Sequence, residues 1–536
     1  MDLTQEVKAW IADDPDPKTA AQLQQWLDSN NEVELRTSFS GFLQFGTAGL
    51  RGPIRPGPSG MNRAVVGRTA AGLAAYMKER NLTSVVIGRD ARYGSEDFTF
   101  ETAQIMSGAG MKVYVLPRPL PTPVLAFATN ELKCDVGIMV TASHNPPQDN
   151  GYKVYLGGTV DGIHYRGSQI VSPTDESIAQ KIDLITSLTS QPRGKEWTVL
   201  GEEVVDKYVG ITAALANKPG NLKIVYTAMH GVGTETLQQV FHKAGFPQPI
   251  LVESQAKPDP DFPTVAFPNP EEPGAIDLAL ETARTFDADL VIANDPDADR
   301  CAAAVKDPIN GWRMLRGDEL GVILGETIAR ATTQGILANS IVSSSILSKI
   351  AAHYKLDFKE TLTGFKWLAK IDGLTFGYEE ALGYAVDAVT VNDKDGISAA
   401  IKLAQIATDL AAQNKTLLDL LDEVWVRHGF HATEQISIRL SDLSQVGVIM
   451  GNLRSNSPKE IAGRSVTSID DLAKPKDGLP PTDGLRIWLD GGIRIIIRPS
   501  GTEAKMKCYI EAIAKDSATA QAVLDQLRAP LKELLS

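Results

Sequence analysis

Ser84-Val85-Val86-Ile87-Gly88, a helix-like stretch from about Glu96 to Ser107, the stop Ala109-Gly110, and then Lys112-Val113-Tyr114-Val115-Leu116 form the segment from which the fold can be read. Two short runs rich in β-branched residues enclose a stretch of helical length, and the glycine after the helix gives the backbone freedom to turn back. That order is a βαβ unit, whose strands lie parallel in one sheet. It returns at Leu222-Lys223-Ile224-Val225-Tyr226, through His230-Gly231-Val232-Gly233 and a helical run to Ala244-Gly245, and on to Pro249-Ile250-Leu251-Val252. A third copy reads Ser340-Ile341-Val342, a helix from Ile346 to Tyr354, and Asp357-Phe358-Lys359-Glu360-Thr361. A spacing of roughly 115 to 140 residues suits three similar mixed α/β domains. After a helical stretch from Ser398 to Val426 the texture changes to alternating strands, Glu434 to Leu440 and Gly492 to Arg498, and ends in a helix from Ser517 to Leu535. That predicts a C-terminal α+β domain with an antiparallel sheet. The Ser, Pro, Gly and charge-rich segment Ser187 to Thr198 reads as a linker, and the expected domains span 1–200, 201–316, 317–428 and 429–536.

The 536 residues, 43% hydrophobic and 22% charged, belong to a globular chain and exclude collagen-like, coiled-coil and largely disordered classes. With 53 Lys plus Arg against 66 Asp plus Glu the net charge is −13, which argues against nucleic acid or an anionic membrane as the main partner. An anionic small substrate must then be caught by local cations. Cys134, Cys301 and Cys508 lie far apart and form no C-x-x-C pair, so neither a zinc site nor a disulfide framework is suggested. The polar, acidic start MDLTQEVKAWIADDPDPKTA lacks the pattern of a secretory leader, and no stretch reaches 18 uninterrupted apolar residues. The expected compartment is the cytoplasm.

Four loops are chemically dense, and each follows an apolar run that would deliver it to a sheet edge, where open parallel sheets bind ligands. After Val136 to Val140 come Thr141-Ala142-Ser143-His144-Asn145-Pro146 and, ten residues beyond the serine, Lys153. A serine beside a histidine and near a lysine can be a nucleophile with acid/base neighbours, although Ser, Asn, Pro and Gly are also ordinary turn residues. A lipase-like elbow is excluded, since Thr141 stands where G-x-S-x-G needs glycine. After Leu290-Val291-Ile292-Ala293 come Asn294-Asp295-Pro296-Asp297-Ala298-Asp299-Arg300. Carboxylates at alternate positions can converge on one hard cation or form a solvated acidic loop. An EF-hand fails, because the sixth position is Arg300 and the twelfth Lys306. The third segment, Phe376 to Tyr384 with Glu379 and Glu380, is followed by Asn392-Asp393-Lys394-Asp395-Gly396. Its carboxylates could accept hydrogen bonds from sugar hydroxyls, and Lys394 could hold phosphate or move a proton, but a solvated loop has the same composition. The fourth, Arg498-Pro499-Ser500-Gly501-Thr502-Glu503-Ala504-Lys505, reads as a phosphate cradle or as a polar turn between strands.

Taken together and in this order, the four segments resemble the α-D-phosphohexomutase superfamily over essentially the whole chain. Phe45-Gly46-Thr47-Ala48-Gly49-Leu50-Arg51-Gly52 resembles that family's N-terminal signature, and Asp149 to Lys153 with Gly364-Phe365-Lys366-Trp367 point to the branch of type 2 phosphoglucomutase and phosphopentomutase. The resemblance implies four domains around a central cleft, three alike and the fourth different. It implies a phosphoryl group on Ser143, and Mg2+ held by Ser143, Asp295, Asp297 and Asp299. It implies His144, Lys153 and Arg51 at the reacting end, with the choice of proton acceptor left open. Arg300, Lys366, Glu379, Glu380 and Lys394 would bind substrate, and Arg498, Ser500, Gly501, Thr502 and Lys505 would hold the second phosphate. The implied activity interconverts α-D-glucose 1-phosphate and glucose 6-phosphate through a bisphosphorylated sugar, with glucose 1,6-bisphosphate as activator and intermediate. Small sugar phosphates are the implied partners, with neither nucleic acid nor membrane, for a monomer or homodimer. One departure bears on substrate: the family's Gly-Glu-x-Ser-Gly reads Glu379-Glu380-Ala381-Leu382-Gly383, so Leu382 stands where the serine is expected. Mannose and pentose phosphates therefore remain alternative substrates, and a serine phosphohydrolase or a non-enzymatic sugar-phosphate sensor are the alternatives of other classes.

Overall fold

The computed structural model describes residues 2–309, 311–476, 478–499 and 505–535. It divides into two compact units, one of Met1–Leu315, Ala369–Asp372 and Ala381–Asp409, the other of Arg316–Leu368, Gly373–Glu380 and Leu410–Ser536.

In the first unit the strands Val136–Val140, Ser84–Arg89, Lys112–Val115 and Thr198–Val199 run parallel in adjacent positions, as the βαβ reading requires. Every residue of Val136–Val140 is buried, so it has the continuous apolar character of a strand covered on both faces. Asp149–Leu156 then adds antiparallel to it, pairing Lys153 with Met139, and Leu50–Pro53 adds antiparallel beyond that. The stretch from Asp149 to Lys153, which the sequence placed in the loop after Val140, is thus the start of a buried strand. Glycine is forced at Gly49 there: its φ is +74° and a Cβ would lie 1.8 Å from the Tyr152 carbonyl oxygen. A second sheet sets Ile250–Leu251, Ile224–Thr227 and Leu290–Ala293 parallel, with Ala302–Asp307 and Gly311–Met314 antiparallel at its edge. Ahead of these sheets, helices Leu3–Asp13, Pro17–Asp28 and Glu32–Ser38 pack around Val7, Leu23 and Leu35, an apolar cluster hidden within the polar N-terminal composition.

The second unit holds a parallel trio, Asp357–Thr361, Ile336–Ser340 and Leu374–Glu379, and a six-stranded antiparallel sheet from Phe430–Arg439 to Glu460–Ile461, covered by helix Ser517–Leu534. The antiparallel C-terminal sheet is as the alternating pattern predicts. The strand expected at Ser340-Ile341-Val342 lies earlier, at Ile336–Ser340. Ala338 and Asn339 have little strand preference of their own, but burial between two partner strands overrides propensity, and Asn339 Nδ2 satisfies itself on the Ser344 carbonyl at 2.8 Å. Ile341 and Val342 leave the sheet and bury against Leu362, Ile496 and Tyr509. The helical run Ser398 to Val426 is two helices, Gly396–Ala411 and Leu417–His428, because Asn414 turns left-handed at φ +57° and Thr416 and Asp419 cap the second helix reciprocally. No helix among the described residues is long and apolar enough to cross a membrane.

Candidate functional site

The wholly buried strand Val136–Val140 fixes where its loop begins, and Ser143 emerges in the left-handed region at φ +53°. A non-glycine residue there is strained, so neighbours must hold it. Thr141 Oγ1 accepts from Ser143 N at 2.9 Å. Arg92, itself buried, donates from Nη2 to the carbonyls of Ser143 and Asn145, both at 2.6 Å, and from Nη1 to those of Pro146 at 2.8 Å and Asp149 at 3.1 Å. One planar fork thereby fixes the turn of the loop, and its charge is balanced by buried Asp90 at 3.4 Å. Ser143 Oγ donates to Asp295 Oδ2 at 2.8 Å and lies 3.1 Å from His144 Nδ1.

Asp295, Asp297 and Asp299 are buried on the turn that follows Leu290–Ala293, and one oxygen from each lies within 4.8 Å of the others. The turn is held from inside. Tyr226 donates to Asn294 Oδ1 at 2.8 Å, Asn294 Nδ2 donates to the Arg300 carbonyl at 2.5 Å, and Arg300 N donates to Asp295 Oδ1 at 3.0 Å. Gly231 lets the neighbouring loop approach, since a Cβ there would sit 2.2 Å from Pro296 Cα. Thr122 donates to Asp297 Oδ2 at 2.7 Å. Burial, and then repulsion from Asp297 and Asp299, pushes Asp295 well above the usual carboxylate range. Burial also presses on Asp297, but Lys153 more than offsets it and holds that carboxyl below its usual range. Among the described residues Asp297 Oδ1 and Asp299 Oδ1 are buried without a hydrogen-bond partner. Unsatisfied carboxylate oxygens are what a hard divalent cation such as Mg2+ requires, so this donor set fits one.

Cations border the same place. Lys153 Nζ donates to Asp297 Oδ2 at 2.7 Å and Asp299 Oδ2 at 3.0 Å, and Lys394 Nζ reaches Asp299 Oδ2 at 3.2 Å. Burial would lower the Lys153 pKa, yet Asp297 and Asp299 raise it, so it stays protonated. Arg51 Nη1 donates to Asn145 Oδ1 at 3.2 Å. Burial, and then Arg300 and Arg51, holds His144 well below the ordinary histidine range, so its imidazole is neutral near pH 7. Ser143, His144, Lys153, Arg51, the three aspartates, Arg300 and Lys394 are therefore gathered in the first unit around one charge-dense place. A serine hydroxyl, a neutral imidazole and a cation-ready carboxylate cluster can carry out metal-assisted transfer at the serine oxygen.

The remaining described residues among those read from sequence lie in the second unit. Glu379 Oε1 accepts from Gly364 N at 2.6 Å, and Lys366 folds back over Gly364, its Cε 3.2 Å from where a Cβ would stand. Glu380 Oε2 accepts from Ser340 Oγ at 3.1 Å and Ser343 Oγ at 3.0 Å. Tyr509 is buried in the same unit: burial and then Glu380 push its phenol up, while the charge of Arg498 and a hydrogen bond with it act the other way. Lys505 opens the strand Lys505–Ala514, opposite Arg439. Ser500, Gly501 and Thr502 lie outside the described residues.

Sequence reasoning passed over Asp90, Arg92, Thr122, Ser340 and Ser343. Gly88-Arg89-Asp90-Ala91-Arg92 leaves the strand Ser84–Arg89 at the same carboxyl edge as the Ser143 loop, and that topology was the available signal for the Asp-x-Arg pair.

Family models describe the chain in four pieces: "Phosphoglucomutase/phosphomannomutase, alpha/beta/alpha domain I" over residues 43–187, domain II over 204–311, domain III over 316–428, and the C-terminal domain over 451–529. A Haemophilus influenzae protein named "Probable phosphomannomutase" is 49% identical over 482 residues, covering 89% of this chain and 98% of that one. A human protein named "Phosphopentomutase" is 34% identical, covering 100% of this chain and 95% of its own. Among solved structures, a phosphoglucomutase/phosphomannomutase family protein from Burkholderia thailandensis aligns with a TM-score of 0.71 at 19% identity, over 91% of this chain and 97% of that one, which is a likeness of fold.

Proposed function

The chain belongs to the phosphoglucomutase/phosphomannomutase family of phosphotransferase-type isomerases, and within it we propose that this enzyme interconverts α-D-glucose 1-phosphate and glucose 6-phosphate through a phosphoserine at Ser143 and a bisphosphorylated sugar. The observation that supports phosphoryl transfer at Ser143 is the meeting of its Oγ with His144 Nδ1 at 3.1 Å and with Asp295 at 2.8 Å, Asp295 being one of the clustered carboxylates Asp295, Asp297 and Asp299.

In the forward direction the sugar hydroxyl attacks phosphorus, the bond between phosphorus and Ser143 Oγ breaks, and the hydroxyl proton leaves to a base. The bisphosphate then presents its other phosphate, Ser143 Oγ forms the new bond to it, and a proton returns to the freed sugar oxygen. His144, whose neutral ring has a lone pair to offer, and Lys153, which Asp297 and Asp299 hold charged in the metal-free protein, are the two groups placed to exchange that proton, His144 as acceptor in this reading. Lys153, Arg51 and Arg300 bring positive charge to the transferring phosphoryl group, which needs electrostatic stabilisation more than covalent help. Mg2+ held by the three aspartates and the Ser143 oxygen would withdraw charge from that group. Glu379, Glu380, Lys366 and Lys394 orient the sugar, and Arg498 and Lys505, with Ser500, Gly501 and Thr502, bind the phosphate that does not react.

Mannose 1-phosphate is the second reading, favoured by the name of the Haemophilus influenzae relative at 49% identity. Phosphorus NMR of the protein with Mg2+, a trace of glucose 1,6-bisphosphate, and α-glucose, α-mannose or α-ribose 1-phosphate offered separately tests both. Fastest conversion of the glucose ester to its 6-phosphate supports the first reading, and fastest conversion of another sugar overturns the choice of glucose. Release of inorganic phosphate alone would make Ser143 a hydrolase nucleophile.

A further inference from the structure

Arg494 and Glu511 face each other on neighbouring strands of the C-terminal sheet, and both are buried. A buried ion pair is tolerated when each member is well paired and its remaining hydrogen-bonding capacity is satisfied. Here those further partners lie largely in one short stretch. Arg494 Nη2 meets Glu511 Oε2 at 3.0 Å and also donates to the Ser343 carbonyl, while Nη1 donates to the Ile341 carbonyl at 3.0 Å. Glu511 Oε1 accepts from Ser344 Oγ at 2.7 Å and from Ser345 N at 2.8 Å, and it pairs with His431 Nδ1 at 2.9 Å. Ile341 and Val342 add apolar contact with Ile496 and Tyr509 of the same sheet.

The clamped stretch is the one that holds Glu380. Ser343 Oγ accepts from Glu380 N at 3.0 Å and donates to Glu380 Oε2 at 3.0 Å, and Ser340 Oγ stands 2.9 Å from Ser343 Oγ and 3.1 Å from Glu380 Oε2. Leu382, at the sequence position where a serine would be expected, has no hydroxyl to offer. We propose that the Arg494–Glu511 pair holds the Ser340 to Ser345 turn so that Ser340 and Ser343 fix the Glu380 carboxylate for the sugar, making these two serines specificity-determining residues and Arg494 a positioning residue. The proposal rests on the reading of Glu380 as a sugar-binding carboxylate. It requires the C-terminal sheet and the sugar-binding carboxylate to act as one piece.

The test compares wild type, Ser343→Ala, Ser340→Ala/Ser343→Ala and Arg494→Lys for kcat and KM with α-glucose, α-mannose and α-ribose 1-phosphates, with circular dichroism of each. Ser343→Ala removes only a hydroxyl, so its result stands even where Arg494→Lys fails to fold. A hydrogen bond to a charged group is worth about tenfold in binding or more, so KM for the preferred sugar rises about tenfold and the ratio of kcat/KM between sugars shifts by a similar factor. Unchanged kinetics in Ser343→Ala, or an equal loss with all three sugars, overturns the proposal while leaving the mutase reading intact. A wild-type protein that isomerises none of the three sugars overturns that reading and the proposal with it.

Discussion

Replacing Arg92 by lysine separates the shape of the loop clamp from its charge. Arg92→Lys leaves a cation beside buried Asp90 but replaces a planar fork, which reaches four carbonyls between Ser143 and Asp149, by a single ammonium with three donors. At least one carbonyl loses its donor, and the geometry of the rest degrades. With two such bonds lost from a charged donor the destabilisation is about 3 kcal/mol. Removing the charge as well, in Arg92→Met, strands Asp90 and adds roughly 3–5 kcal/mol, so lysine is the informative change. The effect on turnover has a separate origin: Ser143 sits at φ +53° only while its carbonyl is held, and a relaxation of about 1 Å in a reacting group costs on the order of 100-fold. Thermal melting and a steady-state mutase assay should therefore show a lowered Tm and a kcat reduced by roughly 100-fold, with KM little changed. A variant that melts lower yet keeps kcat within about twofold would refute the claim that Arg92 positions the nucleophile.

Glu511 is buried and held down to about 2, against burial, by Arg494 and then His431, so it contributes stability that is complete above the usual glutamate pKa of 4.5 and is lost as pH falls from there toward 2. That contribution is roughly 3 kcal/mol as an upper bound, and the stability gap between wild type and Glu511→Gln should narrow on acidification; a gap independent of pH contradicts the pairing. Asp299→Asn removes a carboxylate oxygen that has no hydrogen-bond partner among the described residues, and calorimetric titration with Mg2+ or Mn2+ should show at least about tenfold weaker binding, whereas equal affinity would place the cation elsewhere. In unphosphorylated, metal-free protein the His144 ring should titrate below 6.5, because burial and two arginines oppose its protonation. Its contribution to stability is then present above 6.5 and lost as pH falls below it, and an NMR titration midpoint above 6.5 would reverse the assignment of a neutral imidazole.

What the sequence made legible follows from range of interaction. Val85 to Ile87 and Leu290 to Ala293 lie between sheet neighbours on both sides and are apolar throughout, so their strands could be read locally. Asp295, Asp297 and Asp299 stood out by their alternate spacing, which also suited a solvated acidic loop, and the fold buries them together, with Asp295 on Ser143, whose loop is distant in sequence. Ala338 and Asn339 gave no such signal, because their strand is imposed by partners at Asp357–Thr361 and Leu374–Glu379. Arg92 reads as an ordinary surface arginine until the sheet order sets its loop beside that of Ser143. Ser340 reads only as the start of a strand and Ser343 carries no local signal, since their partner Glu380 is 40 and 37 residues away in sequence. Polar side chains that act through distant backbone are the ones a local pattern misses.

The most direct measurement loads Ser143 with labelled phosphate from a bisphosphorylated sugar, removes the excess, and mixes the phosphoenzyme with unlabelled α-glucose 1-phosphate in a single turnover with Mg2+. The label should leave Ser143 for the sugar and appear in glucose bisphosphate and then glucose 6-phosphate, with none released as inorganic phosphate, and Ser143→Ala should take up no label. Label that stays on the protein, or that leaves only as inorganic phosphate, would contradict transfer between Ser143 and the sugar.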